Sequence, residues 1–213
     1  RLDSKPVQLT RKISAMPFVP EDNTERKDRC EEILTIQALG LKKRLEHTQA
    51  KSLVLGLSGG LDSTLAALVC LKALNMLERP AAALTAVTMP CFGTTSRTKS
   101  NAQLLARELG ADLKEINISG SVLSHFADIG QSSETHDAAY ENAQARERTQ
   151  VLMDIANMQN GLVVGTGDLS EAALGWCTFG GDHIASFNVN AAVTKNVARE
   201  LIRRQAGTKD FSH

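Results

Sequence analysis

Residues 53–57, reading LVLGL, lead within one residue into the adjacent glycines Gly59 and Gly60, and a second apolar stretch begins soon after them. This order is typical of a buried strand that turns sharply into a helix, because glycine lacks a Cβ and allows positive φ angles. The first N–H groups of such a helix have no partner within it, and they point at the loop. The sequence therefore predicts an α/β fold with an anion-binding loop after its first strand.

The side chains of this loop indicate a nucleotide site that differs from a Walker A loop. Ser58, Ser63 and Thr64 supply hydroxyl donors, and Asp62 stands where a Walker A loop carries lysine. A carboxylate repels a phosphate chain unless a cation lies between them, so Asp62 predicts Mg²⁺ shared by protein and nucleotide. The alternative is an ordinary turn with Asp62 as helix cap, which does not explain the whole SGGLDST string.

The string resembles the pyrophosphate loop of the ATP pyrophosphatase superfamily, whose members adenylate a substrate with ATP and release pyrophosphate. This resemblance implies a doubly wound parallel sheet of the adenine nucleotide alpha hydrolase-like type, a three-layer sandwich. The loop alone does not distinguish NAD synthetases from GMP synthetases, asparagine synthetases or tRNA-modifying enzymes.

Size, charge and cysteine usage set broader limits. A chain of 213 residues can bury roughly 70% of its unfolded surface, enough for one complete core. Its 24 basic and 24 acidic residues cancel, which disfavours a long nucleic-acid partner. The four cysteines show no CxxC spacing and predict neither a zinc site nor disulfides. With no signal peptide and no run of 18 apolar residues, we expect a cytoplasmic protein without membrane association.

Apolar periodicity predicts one domain in which strands and helices alternate, with parallel strands joined by right-handed crossovers. Residues 1–20 are polar and proline-punctuated and predict a linker, so the domain is expected to span residues 21–213. Strands are predicted at 52–57, 83–89, 112–118 and 162–165, and helices at 21–47, 62–75, 99–109, 137–159 and 194–205. The polar stretch 119–136 is interpreted as variable, and no helix or strand is predicted in it.

Ligands of doubly wound sheets lie beyond the carboxyl ends of the strands, where the strand order reverses. If the first and fourth strands are neighbours, the GTGDLSE run at 165–171 faces the SGGLDS loop. Thr166 would then lie near the nucleotide and Glu171 near Asp62, and two converging carboxylates suit Mg²⁺. The alternative for Glu171 is an acid at a helix N-terminus, stabilised by the helix dipole.

Three further motifs, NAQAR at 142–146, GTGDLSE at 165–171 and GWCTFGGD at 175–182, narrow the resemblance. Over about residues 17–204 the chain is similar to the synthetase domain of glutamine-dependent NAD synthetases. That family converts nicotinic acid adenine dinucleotide to NAD: ATP adenylates the nicotinate carboxylate with loss of pyrophosphate, and ammonia then displaces AMP. The resemblance therefore implies an amide-forming ligase with ATP and Mg²⁺.

The resemblance also assigns roles to particular residues. It implies that Asp62, Glu171 and Lys195 are catalytic and that Asp62 and Glu171 bind the metal. ATP is expected at Gly56, Leu57, Ser58, Gly59, Gly60, Leu61, Asp62, Ser63, Thr166 and Lys195. The dinucleotide is expected at Asn142, Arg146, Glu171, Trp176, Cys177, Thr178 and Phe179.

Plainer explanations compete with three of these assignments. Arg146, with Glu147 and Arg148, also fits a solvent-exposed helix face; Trp176 fits a core position; and Lys195 fits the exposed start of a helix. The chemistry needs no covalent nucleophile, so Cys91 and Cys177 are expected to be passive.

The chain also departs from the family pattern. The family carries an amino-terminal glutaminase domain that supplies ammonia, and the chain begins at Arg1 without it and stops before a later family segment. The alternative function is therefore a nucleotide-binding fragment without turnover, and a tRNA-modifying adenylase is disfavoured by the neutral charge. The predicted helix 137–159 carries apolar residues beside NAQAR that need cover on more than one side: Val151, Leu152, Ile155 and Met158. In the family that it resembles, a second subunit supplies this cover, so the resemblance implies a homodimer or higher homo-oligomer.

Overall fold

A computed structural model of the chain describes residues 10–11, 13–93 and 96–206. The helices are α1 (Asn23–Thr48), α2 (Leu61–Asn75), α3 (Ser96–Glu108), α4 (Ser119–Ile129), α5 (Ala138–Gln159), α6 (Leu169–Leu174) and α7 (Lys195–Ala206), with a 3₁₀ turn at Ala81–Ala83. The strands are β1 (Ser52–Gly56), β2 (Leu84–Thr88), β3 (Asp112–Glu115), β4 (Gly161–Gly165) and β5 (Phe187–Asn188).

All described strands pair in parallel in one sheet of order β3-β2-β1-β4-β5. The central strand β1 is covered on both faces, and Leu53, Val54 and Leu55 are fully buried. Chain order reverses between β1 and β4, which are hydrogen-bonded neighbours. The condition on which the placement of Thr166 and Glu171 depended, neighbouring first and fourth strands, is therefore met, and the crevice for ligands lies at their carboxyl ends.

Helices cover both faces of the sheet and make three layers. One face carries α1, α2, α3 and α7, whose buried side chains form the largest apolar cluster, centred on residues such as Leu41, Leu65 and Leu201. The other face carries α5, which packs on β1 and β4, and α4 packs against α5. The predicted doubly wound three-layer sandwich is confirmed.

The prediction for residues 119–136 is wrong over its first half, where α4 runs from Ser119 to Ile129. Val122 and Phe126 stand one turn apart and are both buried, and Phe126 packs on Tyr140 of α5 with ring centroids 5.6 Å apart. The helix ends at Gly130, whose φ of 73° suits a left-handed cap. Two short elements, α6 and β5, were also not predicted, because neither is long enough to show a period.

Residues 10–11 and 13–20 contain no helix or strand, and the rest of the predicted linker lies outside the described residues. Asp22 caps α1, and Arg26 donates to the backbone oxygens of Pro20 and Glu21, which fixes the approach to the helix. Among the described helices, none combines the length and apolar character that crossing a membrane requires.

Candidate active site

The loop between β1 and α2 has the geometry of an anion cradle. Gly59 adopts a φ of 77°, which favours glycine, whereas Gly60 is extended with a φ of −87°. Gly60 is the N-cap of α2 and provides no side-chain cap, so the N–H groups of the first helical turn remain available to a ligand. The positive φ is therefore needed at one glycine of the pair, and the open helix start favours negative charge.

The hydroxyl groups of this loop hold the loop together. Ser63 and Thr64 donate to the backbone oxygen of Gly60 at 3.2 and 2.8 Å. Ser58 accepts from the Gly60 N–H at 3.2 Å, and its hydroxyl lies 3.1 Å from that of Ser63. In this structure the three side chains thus shape the cradle, although Ser58 and Ser63 also line the cavity described below.

The loop after β4 brings two more acids to the same place. Asp168 is the N-cap of α6 and forms a capping box with Glu171: the Asp168 side chain accepts from the Glu171 N–H at 2.8 Å, and Glu171 accepts from the Asp168 N–H at 3.2 Å. Glu171 is therefore the acid at a helix N-terminus that one interpretation predicted. Its other carboxylate oxygen, Oε1, faces the site and accepts a hydrogen bond from Lys195 Nζ at 2.9 Å.

Lys195, at the start of α7, joins these acids to the first loop. Its Nζ lies 2.6 Å from Asp62 Oδ2, 2.9 Å from Glu171 Oε1 and 3.1 Å from Asp168 Oδ2. The Asp168 side chain is fully buried, while that of Lys195 is 38% exposed. One ammonium group therefore holds three carboxylates together, and the expectation that Glu171 lies near Asp62 is confirmed.

This environment favours the charged form of Lys195. Partial burial acts to lower the pKa of its ammonium group, but hydrogen bonds to Asp62, Glu171 and Asp168 together raise the pKa well above the ordinary value of 10.5. Lys195 is therefore a permanent cation at neutral pH, available to pair with carboxylates or with phosphate oxygens.

A carboxylate oxygen of this cluster lacks a hydrogen-bond donor within the described part of the chain, which suits a divalent metal. Asp62 Oδ1 is buried and accepts no hydrogen bond from any described residue. A buried carboxylate oxygen without a donor, beside a second carboxylate and an anion cradle, fits the oxygen ligands that Mg²⁺ prefers. Asp62 and Glu171 would hold the ion, with nucleotide phosphates completing its coordination.

A cavity of about 740 Å³ opens beside this cluster, over the carboxyl ends of β1, β2 and β4. Seven of the predicted ligand-binding residues line it: Gly56, Leu57, Ser58, Asp62, Ser63, Thr166 and Thr178. Three aromatic side chains also line it, Phe92, Tyr140 and His136, and His136 stacks on Tyr140 at 4.4 Å between ring centroids. The cavity is therefore lined both by polar residues of the β1 loop and by aromatic rings, a combination that suits a ligand with a charged part and a flat apolar part.

The side of α5 that faces the cavity differs from the predicted one. Gln144, Arg148 and Leu152 recur at helical spacing along the cavity wall, whereas Asn142 and Arg146 do not line it. Arg148 is the one arginine or lysine among the described lining residues. The sequence interpretation named Arg148 only in the alternative of a solvent-exposed helix face and did not assign it to the site, although the four-residue spacing to Gln144 is visible in the sequence.

Arg146 instead holds the predicted substrate loop. Its Nε and Nη2 donate to the backbone oxygen of Phe179 at 3.1 and 2.9 Å. Trp176 and Phe179 are 76% and 81% exposed, so the alternative of a core tryptophan is wrong. Arg146 therefore connects α5 to a loop that presents two unpartnered aromatic rings.

The same loop contains the one exposed cysteine, while Cys30, Cys70 and Cys91 are buried. The fold brings potential ligand atoms of Cys177, Asp182 and His183 within 4.8 Å of one another, which cysteine spacing alone did not predict. The Asp182 carboxylate accepts from the Thr178 N–H at 2.9 Å, and a ring nitrogen of His183 lies 3.2 Å from the Thr178 oxygen. These contacts explain the two side chains as supports of the turn.

Comparison with known proteins identifies the family to which this fold and sequence correspond. The family model for NAD synthase matches residues 33–209. The glutamine-dependent NAD(+) synthetase of Mycobacterium leprae is 40% identical over 210 residues, which cover 96% of this chain and 31% of that protein. The chain thus spans about a third of the length of the curated relatives that it matches first.

Solved structures show the same relationship. The glutamine-dependent NAD+ synthetase from Acinetobacter baumannii, in complex with ADP, has a TM-score of 0.74 and 31% identity, covering 82% of this chain and 32% of that one. The NH3-dependent NAD synthetase from Campylobacter jejuni, in complex with the nitrate ion, has a TM-score of 0.75 and 27% identity, covering 85% of this chain and 76% of that one. The family match over most of its length, together with the shared fold, shows that this chain belongs to the NAD synthase family.

Proposed function

We propose that this chain carries the ATP-dependent amidation of nicotinic acid adenine dinucleotide to NAD, through an adenylated carboxylate and with release of AMP and pyrophosphate. The observation that supports it most is the cluster of Lys195 with Asp62 and Glu171 beside an anion cradle, in a chain of the NAD synthase family. Enzymes of this name are ligases that form a carbon–nitrogen bond.

ATP is proposed to bind with its phosphates at the cradle. The open N-terminus of α2 and the protonated Lys195 would receive the β- and γ-phosphates, and Arg148 would contact the nucleotide from the opposite wall. When bound between Asp62 and Glu171, Mg²⁺ supplies positive charge against the phosphate oxygens. The aromatic lining of the cavity, at Phe92 and Tyr140, has the shape and polarity for the adenine ring.

The reaction needs an activated carboxylate because oxide is a very poor leaving group and AMP is a good one. The nicotinate oxygen attacks the α-phosphorus, the bond to pyrophosphate breaks, and ammonia then attacks the acyl carbon and expels AMP. The protein's contribution is to hold the carboxylate in line with phosphorus and to stabilise the charge that develops on pyrophosphate. Lys195 and the α2 N–H groups would serve the second task.

The dinucleotide is proposed to enter from the side of the exposed loop, where Trp176, Thr178 and Phe179 offer two aromatic faces and a hydroxyl. Asn142, Cys177 and Arg146 complete this set, with Arg146 acting through its hold on Phe179. Ammonia would come from glutamine hydrolysis elsewhere in a longer protein or from ammonium in solution.

Release of pyrophosphate tests the function directly. The purified chain is mixed with ATP, Mg²⁺ and nicotinic acid adenine dinucleotide, with ammonium or glutamine as nitrogen donor, and pyrophosphate and NAD are both quantified. Dinucleotide-dependent pyrophosphate release with ammonium supports the proposal. Tight ATP binding without pyrophosphate release would favour the alternative of a nucleotide-binding fragment.

A pair of arginine variants tests whether the two sides of α5 serve different ligands. Arg146→Ala should weaken the dinucleotide about tenfold or more and ATP little, because it frees the Phe179 carbonyl and the loop around it. Arg148→Ala should weaken ATP instead, because this guanidinium lines the nucleotide cavity. Calorimetric titration of ATP and of the dinucleotide into each variant measures these affinities. Equal losses of affinity for both ligands in both variants would contradict the different roles of Arg146 and Arg148.

A homodimer is proposed because apolar side chains stay exposed on α4 and α5, namely Leu123, Ile129 and Met158. Of the four residues predicted at core spacing on α5, Val151, Leu152 and Ile155 pack against apolar clusters. Met158 is 86% exposed, which corrects its predicted core position. We expect light scattering to show a dimer at micromolar concentration, formed by the same surface of both chains. A monomer that still binds the dinucleotide would show that the site is self-contained.

A further inference from the structure

Asn190, two residues after β5, is completely buried. Its side-chain nitrogen donates to the backbone oxygen of Asp62 at 3.0 Å and to that of Thr166 at 3.1 Å. The first oxygen belongs to the opening turn of α2, and the second to the loop after β4. A single amide group therefore joins the two loops that form the nucleotide site.

A second buried amide fixes the orientation of the first. Gln37, on α1, donates through Nε2 to Asn190 Oδ1 at 3.1 Å and to the backbone oxygen of Val189 at 2.8 Å. Backbone oxygens only accept hydrogen bonds, so those of Asp62, Thr166 and Val189 determine which end of each amide carries nitrogen. Rotating either amide by 180° would set oxygen against oxygen.

This arrangement leaves one buried acceptor without a partner. Gln37 Oε1 accepts no hydrogen bond from any residue that the structure describes. An unpaired buried oxygen lowers stability, and an aliphatic side chain would avoid that loss among the surrounding apolar residues of α1. The donor group of Gln37, and not its packing, therefore explains a glutamine at this position.

We propose that Asn190 is a positioning residue for the nucleotide site and that Gln37 holds its amide in the working orientation. The inference rests on the proposed function. Neither side chain lines the cavity, so both act through the loops. Moving the Asp62 backbone moves its carboxylate, and moving Thr166 shifts the segment that leads to Glu171. The Asn190 amide thus sets the separation of the two proposed metal ligands.

The test measures binding of Mg²⁺ with α,β-methylene-ATP by calorimetry, together with the melting temperature of each variant. Asn190→Leu keeps the branched shape but removes both donors, and we expect at least about tenfold weaker binding. Gln37→Met removes the group that orients the amide but leaves both loop contacts possible, so its loss should be smaller. The double variant should bind like Asn190→Leu alone, because Gln37 acts only through Asn190.

Leu41→Val is the matched control, because Leu41 lies one turn beyond Gln37 on the same buried face of α1. It should lower the melting temperature without changing nucleotide affinity. The proposal is overturned if Asn190→Leu and Gln37→Met bind the analogue as tightly as wild type does. It is also overturned if Leu41→Val, at an equal loss of melting temperature, weakens analogue binding as much as those two variants do. Wild-type protein that fails to bind the analogue would instead refute the proposed function.

If Asn190→Leu does not fold, Gln37→Met decides the question. This variant also removes a donor to Val189, so its affinity is compared with that of Leu41→Val at matched melting temperature. Weaker analogue binding in Gln37→Met supports the positioning role, and unchanged binding overturns it.

Discussion

Asp62→Asn should reduce Mg²⁺-dependent turnover by about 1,000-fold or more while the protein remains folded. The substitution keeps the shape of the side chain but removes the charge that would hold the metal and pair with Lys195. Without the metal, the phosphates lose several kcal/mol of charge stabilisation, and a loss of that size lowers the rate by about 1,000-fold. The measurement is pyrophosphate release at increasing Mg²⁺, with circular dichroism to verify folding. Unchanged magnesium dependence would remove Asp62 from the metal site.

Asp22→Asn provides the control for this experiment. It makes the same chemical change at another helix start, where the Asp22 side chain accepts from two backbone N–H groups of α1. Asparagine caps helices about as well as aspartate, so neither stability nor turnover should change appreciably. A comparable loss in both variants would indicate that any removal of an acid at a helix start impairs the protein.

Much of the fold and part of the candidate site could be predicted from local sequence patterns and from the topology of doubly wound sheets. The β1 loop is recognisable in the sequence from a strand, a glycine pair and a helix start. The pairing of β1 with β4 was assumed as an arrangement that a doubly wound sheet allows, and the structure has it. Glu171 was placed near Asp62 by that topology alone. Its alternative role at a helix start is also observed, because one carboxylate oxygen closes the capping box while the other meets Lys195. Its role as a metal ligand stays a prediction.

The features that sequence reasoning missed depend on side-chain direction or on contacts between distant residues. Asp168 was not predicted as a site residue, because its burial and its contact with Lys195 depend on how α6 and α7 are placed in the fold. Asn190 and Gln37 are separated by 153 positions, and nothing in either local segment predicts their hydrogen bond. Arg148 was missed for a different reason: the face of α5 that meets the cavity depends on how the helix is rotated against the sheet.

Lys195→Met should destabilise the protein by about 2 kcal/mol, and added Mg²⁺ should restore much of that loss. Removing one partner of a buried ion pair costs about 3–5 kcal/mol, and the partial exposure of Lys195 reduces this figure. Without the ammonium group, three carboxylates lie together, one of them fully buried. A divalent cation binding the native cluster stabilises the folded state by mass action, and more so where repulsion is greater. Denaturant unfolding with and without Mg²⁺ measures both effects.

The pH dependence gives this prediction a second readout. The pKa of Lys195 is raised on folding, so its contribution is fully present below the ordinary value of 10.5 and is lost as pH rises through the folded value. The stability difference between wild type and Lys195→Met should therefore stay constant from neutral pH to about pH 10 and shrink only in stronger alkali. Lys42→Met, which removes an ion pair of 3.9 Å with Glu46, should change stability by less than about 0.5 kcal/mol. If Lys195→Met behaved like Lys42→Met and did not respond to Mg²⁺, the carboxylate cluster would not depend on its lysine.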